Sequence, residues 1–349
     1  MTWIAKPAVH HPALPKNALG LTRRDYEGKI STLCAGCGHD SISAAIIEAC
    51  FELELPPYRI AKLSGIGCSA KTPTYFLGAA HGFNGVHGRM PSLATGANLA
   101  NRELVYIGVS GDGDTASIGL GQFVHAIRRG VNMLYMVENN GTYGLTKGQF
   151  SATADEGSTS KGGESNRYPP IDLARLALDM GAGFVARSFS GDKEQLVPII
   201  RAALTYPGFA FIDCLSPCVT FNNHEGSTKS YAYIRQHEFQ ATDLVPTREE
   251  ITVSYGAGER KHVTLHDGTS LMLRKLADDY DPGDRKSALD LIESHRRAGE
   301  IVTGLLYLDP SHEDMHARLN TVAQPLNAVP AEALCPGAAA LESINAGLR

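Results

Sequence analysis

Apolar residues in the middle of the chain form two continuous runs separated by a helical stretch. Residues 104–109 (LVYIGV) and 132–137 (NMLYMV) each have the pattern of a strand covered on both faces of a sheet. Residues 116–129 between them are typical of a helix that stops at Gly130, a common C-terminal residue. Strand, helix and strand in this order predict a parallel βαβ unit with a right-handed connection.

The same alternation extends well beyond this unit. A helix is predicted over residues 41–51, a strand at the start of 59–67 and a second helix over 91–101, and further helix–strand pairs follow up to residue 218. Repeated alternation of helices and strands predicts an α/β fold with a doubly wound, mainly parallel sheet.

This pattern divides the chain into three predicted parts. Residues 1–30 have the scattered prolines and charges of an extended N-terminal arm, and residues 31–220 carry the α/β domain. Residues 221–349, which include a β-rich stretch at 249–276, are predicted to be a C-terminal extension that packs on the core and on partner subunits.

Charge and composition exclude several classes of protein. The 349 residues include 32 Lys and Arg against 37 Asp and Glu, so the formal charge of -5 provides no basic surface for nucleic acid or an anionic membrane. No apolar run approaches the roughly 20 residues that span a bilayer. The polar, proline-rich N-terminus differs from a signal peptide, and we predict a cytoplasmic location.

Two polar motifs follow the predicted strands of the βαβ unit. Asp112 lies in SGDGD after the first strand, and Asn140 lies 28 positions later, after the second. Open α/β sheets bind ligands at the carboxyl ends of their strands, and Mg²⁺ prefers carboxylate and amide oxygens. The alternative is that Asp112 and Asp114 only cap the following helix.

Seven cysteines are an odd number for a disulfide framework. Cys34 and Cys37 form a C-x-x-C pair, which by itself is compatible with zinc, dithiol redox chemistry or an iron–sulfur cluster. Cys68 and Cys218 follow predicted strands, so both are expected near the edge that carries Asp112. Cys214, in the apolar run FAFIDCL, is the competitor of Cys218 for a metal site.

Together these motifs resemble the β subunit of 2-oxoacid:ferredoxin oxidoreductases, which bind thiamine diphosphate. The resemblance covers most of residues 30–310 through LCAGCGHD, LSGIGCS, GFNGVHGRMPSLATGANLAN, SGDGD, NNGTYGLTKGQFSAT and VTGLLY. It implies a sheet of the thiamine-diphosphate-binding type and three cofactors, namely thiamine diphosphate, Mg²⁺ and a [4Fe–4S] cluster. Ala35 stands where the family often has proline, a difference that leaves the thiols in place.

The family's functional residues transfer to matching positions of this sequence. The implied cluster ligands are Cys34, Cys37, Cys68 and Cys218, with Cys218 preferred over Cys214, and the implied Mg²⁺ ligands are Asp112, Asn140 and the main-chain carbonyl of Thr142. The implied thiamine diphosphate contacts are Ile66, Gly67, Cys68, Ser69, Gly113, Asp114, Gly144 and Leu145.

Lysines near these motifs are implied to face the substrate. Lys71 and Lys147 would bind carboxylates of a 2-oxoacid, with Leu145 in the same pocket, because a carboxylate that leaves water needs a charge-assisted partner. His39 and His81 are expected to be structural and bonded to main-chain atoms, with a catalytic role as the alternative. The tract FNNHEGSTKS, residues 221–230, resembles nothing assigned.

The resemblance implies oxidative decarboxylation of a 2-oxoacid with coenzyme A, or the reverse reductive carboxylation, with electrons passing to ferredoxin. The substrate expected first is 2-oxoglutarate, giving succinyl-CoA, with pyruvate second and an aryl pyruvate third. A separate α subunit would supply the carboxylate that activates thiamine diphosphate, in an (αβ)₂ assembly. Two further alternatives are a thiamine-dependent lyase or carboligase with structural zinc and a non-catalytic interface subunit.

Overall fold

A computed structural model describes residues 11–244, 260–264, 270–275, 280–335 and 337–348. The first ten residues of the predicted arm lie outside the described residues, as do 249–259, 265–269 and 276 of the predicted β-rich stretch. Within the described part, no helix is long and apolar enough to cross a membrane.

Eight strands form one sheet in the order β2-β1-β3-β4-β8-β7-β13-β9. They are β1 Ile60–Ser64, β2 His81–Asn84, β3 Val105–Gly111, β4 Met133–Asn139, β7 Phe184–Phe189, β8 Phe209–Leu215, β9 Glu238–Gln240 and β13 Ile301–Leu308. Every neighbouring pair is parallel except β7 with β13, which is antiparallel. The predicted mainly parallel α/β sheet is confirmed.

Two small antiparallel ladders accompany this sheet. Strands β5 Thr142–Tyr143 and β6 Gln149–Phe150 form a hairpin directly after β4. Strands β10 Thr242–Leu244, β11 Arg260–Thr264 and β12 Ser270–Lys275 form a three-stranded sheet in the order β10-β12-β11.

Helices cover both faces of the large sheet. The helices of the described residues are α1 Gly38–Glu52, α2 Met90–Ala100, α3 Leu120–Arg129, α4 Leu173–Asp179, α5 Lys193–Thr205, α6 Tyr231–His237, α7 Arg285–Ala298, α8 Met315–Leu319, α9 Ala331–Leu334 and α10 Gly337–Gly347. The last two, α9 and α10, have no buried residue. Short 3₁₀ turns occur at Arg23–Tyr26, Pro57–Arg59, Ser69–Thr74 and Leu326–Ala328.

The two hydrophobic cores lie on opposite faces because strand side chains alternate. On β4, Leu134 and Met136 pack with α1 and α5, whereas Tyr135 and Val137 pack with α2, α3, α4 and α7. This double coverage explains why the central strands are continuous apolar runs in the sequence.

The predicted helix over 116–129 is wrong at its beginning. A π-helical turn occupies Gly113–Ile118, and α3 starts only at Leu120. Gly119 lies between these two elements. Glycine is required there because a Cβ at this position would lie 2.8 Å from both the Asp114 carbonyl oxygen and the Gly88 Cα. The chain thus changes direction directly after the SGDGD motif.

Strands from beyond residue 220 also belong to the large sheet. β13 pairs with β7 on one side and with β9 on the other. The sheet therefore continues across the predicted boundary at residue 220, and the division into domains stays a prediction.

Candidate functional site

The carboxyl ends of β1, β3 and β4 meet at one edge of the sheet, and the loops after them line a narrow cleft. The lining residues are His39, Ile66, Gly67, Cys68, Ser69, His87, Gly111, Asp112, Gly113, Asp114, Asn140, Thr142, Tyr143, Gly144, Leu145 and Thr146. All residues predicted to bind thiamine diphosphate or Mg²⁺ are among them.

Asp112 is buried at the bottom of the cleft with one oxygen well bonded and one weakly bonded. The hydroxyls of Ser151 and Thr153 donate to its Oδ2, the latter at 2.7 Å. Among the bonds of the described residues, Oδ1 accepts only from the Asn140 N–H at 3.4 Å. Burial raises the pKa of Asp112, and these hydrogen bonds oppose that rise. A cation at Oδ1 would favour the ionised carboxylate further.

Asn140 and Thr142 lie beside Asp112 in the turn that follows β4. Both are buried, and the Thr142 N–H donates to the Asn140 Oδ1 at 3.0 Å. The turn thus offers an amide oxygen and main-chain carbonyls next to a carboxylate. These hard oxygen donors fit Mg²⁺, which completes its coordination with water and phosphate.

Asp114 joins the loops of the cleft instead of capping a helix. Its Oδ1 lies 2.5 Å from the His87 Nδ1 and accepts from the Gly88 N–H at 3.0 Å, and its Oδ2 accepts from the Ser110 hydroxyl at 3.0 Å. Gly65 is required nearby because a Cβ there would lie 2.0 Å from the Asp114 Oδ2. His87 was not predicted as a site residue, although it lies within the motif GFNGVHG.

Gly113 allows the loops on either side of the cleft to approach closely. A Cβ at Gly113 would lie 2.5 Å from the Tyr143 ring, whose hydroxyl donates to the Gly113 carbonyl at 3.1 Å. Any larger residue would therefore push Tyr143 into the cleft.

Four free thiols gather next to this cleft. The thiols of Cys34 and Cys218 lie near enough to Cys68 to raise its pKa, after burial as the main cause. Burial raises the pKa of Cys37 to about 12, and the Cys218 thiol contributes in the same direction. The structure thus brings together the four cysteines predicted as cluster ligands.

Gly144 lies between two of these thiols and the cleft. A Cβ on Gly144 would be 3.5 Å from the Cys218 Sγ and 3.7 Å from the Cys68 Sγ. Because Cys68 and Gly144 also line the cleft, the thiol group and the cleft share a wall.

The other three cysteines lie in different surroundings. Cys214 on β8 has no exposed surface, belongs to the same core as Cys50, and has a pKa that burial raises well above its ordinary value. Cys335 is exposed near the C-terminal helices.

The donor set beside the cleft consists of the four thiols. Among the described residues, no group of three or more His, Cys, Asp or Glu side chains is placed to hold one metal ion. Four neighbouring thiols are the ligand set that an iron–sulfur cluster requires.

Two histidines of the motifs differ in their bonding. His39 is buried at the start of α1, and its Nδ1 lies 2.5 Å from the Ser216 hydroxyl and 3.5 Å from the Glu138 carboxyl group. Burial lowers the pKa of His39 to about 4 and raises the pKa of Glu138 well above its ordinary value. The expected main-chain bond is therefore absent at His39 within the described structure, whereas His81 contacts the Tyr58 carbonyl at 3.1 Å.

The two predicted substrate lysines are exposed and do not line the cleft itself. Lys71 lies in the 3₁₀ turn after Cys68, and its charge lowers the pKa of that thiol against the dominant effect of burial. Lys147 follows Leu145 in the β5–β6 hairpin and has φ of 80°. Leu145, which does line the cleft, is 51% exposed.

Comparisons with known proteins agree with this geometry. The family model of the thiamine pyrophosphate enzyme C-terminal TPP binding domain matches residues 65–214. A 2-oxoglutarate oxidoreductase subunit KorB of Mycobacterium tuberculosis is 34% identical over 76% of this chain and 71% of its own length.

Two further similarities concern a sequence and a solved structure. The 2-oxoacid:ferredoxin oxidoreductase subunit beta of Saccharolobus solfataricus is 43% identical over 57% of this chain, and the match spans 65% of that relative. The 2-oxoglutarate:ferredoxin oxidoreductase structure from Magnetococcus marinus, with 2-oxoglutarate, coenzyme A and succinyl-CoA bound, has a TM-score of 0.70 and 29% identity, covering 89% of this chain and 92% of that chain. The chain belongs to the family of 2-oxoacid:ferredoxin oxidoreductase β subunits.

Proposed function

We propose that this chain is the β subunit of a 2-oxoglutarate:ferredoxin oxidoreductase. It would catalyse the CoA-dependent oxidative decarboxylation of 2-oxoglutarate to succinyl-CoA, or the reverse reductive carboxylation. The observation that carries the proposal is the shared wall at Gly144, with Asp112 and Asn140 in the cleft and the thiols of Cys68 and Cys218 next to it.

In the proposed cofactor site, Asp112 and Asn140 hold Mg²⁺ through side-chain oxygens, and Thr142 holds it through its carbonyl. Thiamine diphosphate, when bound, supplies an electron sink for the carbanion left by loss of CO₂. The residues assigned to contact it are Ile66, Gly67, Cys68, Ser69, Gly113, Asp114, Gly144 and Leu145. Their loops restrict the access of water to the reacting carbon.

The thiols of Cys34, Cys37, Cys68 and Cys218 are assigned as the ligands of a [4Fe–4S] cluster, which would supply one-electron transfer between the cleft and ferredoxin. The partial exposure of Cys218 and its closeness to Cys68 support it over the fully buried Cys214. Cys68 borders both the cleft and the other thiols, so the path for electrons is short.

The substrate assignment rests on two exposed lysines that follow lining residues of the cleft in the sequence. Lys71 and Lys147 are assigned to the two carboxylates of 2-oxoglutarate, with Leu145 against its carbon chain. The M. tuberculosis relative and the M. marinus structure, both named for 2-oxoglutarate, support this dicarboxylic substrate over pyruvate.

The remaining parts of the enzyme are assigned to partner molecules. An α subunit is proposed to supply the carboxylate that activates the cofactor, in a cytoplasmic (αβ)₂ assembly, with coenzyme A and ferredoxin as co-substrates. The designation of two relatives as β subunits supports such a partner.

The test of this function is the substitution Asp112→Ala in the complex with the α subunit. We expect the rate of 2-oxoglutarate- and CoA-dependent ferredoxin reduction to fall about 100-fold or more, because metal coordination contributes several kcal/mol to catalysis. Asp179→Ala, at an exposed position on α4, is the matched control and should retain the wild-type rate.

Metal analysis of the same anaerobically purified complex tests the alternatives. Iron with a broad visible absorption band supports electron transfer, whereas stoichiometric zinc would contradict it and favour a lyase or carboligase. Wild-type turnover by the Asp112→Ala complex would favour a non-catalytic interface subunit.

A further inference from the structure

Residues 221–230, the tract FNNHEGSTKS, pack against the loop that carries the proposed Mg²⁺ ligands. This tract follows Cys218 and includes two buried residues that reach the loop, Asn222 and Lys229. It also contacts the hairpin of Lys147, since a Cβ on Gly148 would lie 3.1 Å from the Phe221 ring. The tract therefore contacts the loop of the proposed Mg²⁺ ligands and directly follows the proposed cluster ligand Cys218.

Asn222 connects these two regions directly. Its main-chain N–H donates to the Cys218 carbonyl at 2.9 Å, and its side-chain Nδ2 donates to the Asn140 carbonyl at 2.7 Å. The Ser227 hydroxyl donates to the Asn222 carbonyl at 3.1 Å. One buried residue thus joins the loop of a proposed cluster ligand to the main chain of a proposed Mg²⁺ ligand.

The turn at Asn140 has little freedom to adopt another position. Its N–H donates to the Asp112 Oδ1, and its carbonyl accepts from Asn222 on the other side. The next residue, Gly141, has φ of 70°, and a Cβ there would lie 3.1 Å from both the Asn222 Nδ2 and the Lys229 Cγ. Lys229 is itself fixed by a 2.8 Å ion pair with Asp155.

We propose that Asn222 is a positioning residue that holds the Asn140 main chain so that the Asn140 side chain and the Thr142 carbonyl meet Mg²⁺ together. The inference rests on the proposed function of the cleft. A buried carbonyl that loses its donor must find another partner, and residue 140 must move to reach one. Such a movement displaces both metal-binding oxygens and weakens Mg²⁺ binding.

The experiment compares Asn222→Asp and Asn222→Ala with the wild type, each as the complex with the α subunit. The first variant keeps the shape of the side chain but removes its N–H donors, and the second removes the whole amide. Asn223→Ala is the matched control, because Asn223 is exposed and its Oδ1 accepts only from the Tyr231 N–H, at 3.0 Å, among the described bonds.

The measured quantity is the Kd of Mg²⁺ for metal-stripped complex in the presence of thiamine diphosphate, by titration calorimetry. We expect both Asn222 variants to raise this Kd about tenfold, as loss of one buried hydrogen bond predicts. The KM for 2-oxoglutarate at saturating Mg²⁺ and the iron content should remain at wild-type values, as in the control. A general folding defect would instead lower the iron content and the melting temperature together, which would contradict the positioning role.

A wild-type Kd in either folded Asn222 variant overturns the inference. If Asn222→Asp does not fold, Asn222→Ala decides alone, since it places no charge against the carbonyl. Absence of Mg²⁺-dependent thiamine diphosphate binding in the wild type would contradict the proposed function, whereas normal wild-type binding with unchanged variants would contradict only the role of Asn222.

Discussion

Cys214 and Cys218 are four positions apart but differ in burial and neighbours. Cys218 is partly exposed beside Cys68, and Cys214 is enclosed in the core on one face of the sheet. We expect Cys218→Ser, purified anaerobically, to contain less than about half of the wild-type iron, because a cluster needs its fourth thiolate. Iron content and visible absorbance check this.

Cys214→Ser is the paired variant of that experiment. It should keep the wild-type iron content but lose about 1–3 kcal/mol of stability, because a hydroxyl replaces a thiol in an apolar core. The opposite result, iron loss in Cys214→Ser and none in Cys218→Ser, would reverse the assignment of the fourth ligand.

Lys71 is the exposed lysine assigned to one carboxylate of the substrate. We expect Lys71→Ile to raise the KM for 2-oxoglutarate about 10- to 100-fold, because one charge-assisted hydrogen bond to the substrate is lost. The KM for pyruvate should change by less than about threefold. Lys286→Ile, on the exposed face of α7, is the control. Equal changes for both substrates would remove Lys71 from the substrate site.

The sequence predicts the charged and thiol side chains of the site better than the residues that form hydrogen bonds to those side chains. The motifs identify Asp112 and Asn140 as site residues, whereas Ser151 and Thr153, which bond Asp112, lie at the end of the motif NNGTYGLTKGQFSAT without a predicted role. Their role depends on how the hairpin after β4 folds back. Hydroxyl residues are common, so only the three-dimensional contact reveals them.

Among the secondary-structure elements, helix α3 has the clearest packing anchor. Phe123 is fully buried, and its ring centroid lies 5.2 Å from that of Tyr135 and 5.0 Å from that of Phe211. We expect Phe123→Ala to lower the free energy of unfolding by about 3–5 kcal/mol, because it leaves a cavity against β4 and β8. Denaturant titration measures this difference.

His125→Ala, two positions further along the same helix and exposed, is the control for that measurement. Its free energy of unfolding should stay within about 0.5 kcal/mol of the wild type. A loss below 1 kcal/mol in Phe123→Ala would show that this core relaxes around the missing ring.

The strands were predictable because a sheet covered on both faces produces continuous apolar runs, as in β3 and β4. The beginning of α3 could not be predicted, because apolar spacing does not distinguish a π-helical turn from the first turn of an α-helix. The close approach of Gly88 to Gly119 decides the geometry there, and this contact joins distant parts of the chain.

For the whole molecule, the central prediction is dependence on a partner. We expect the separately purified chain to bind iron but to show no 2-oxoglutarate-dependent ferredoxin reduction above background, and addition of the α subunit should restore turnover. The physical reason is that, in the proposed mechanism, the α subunit supplies the carboxylate that activates thiamine diphosphate. Full activity of the chain alone would contradict this division of labour.

The position of β13 in the sheet also determines when the sheet can be completed during synthesis. Ile301, where β13 begins, comes 86 positions after Leu215, where β8 ends. At about 5–20 residues per second, a ribosome needs roughly 4–17 s to make that stretch. During this interval the outer edge of β7 has unpaired N–H and C=O groups, which are a template for aggregation. Faster translation of residues 216–300, or a chaperone that covers this edge, should therefore increase the yield of soluble protein.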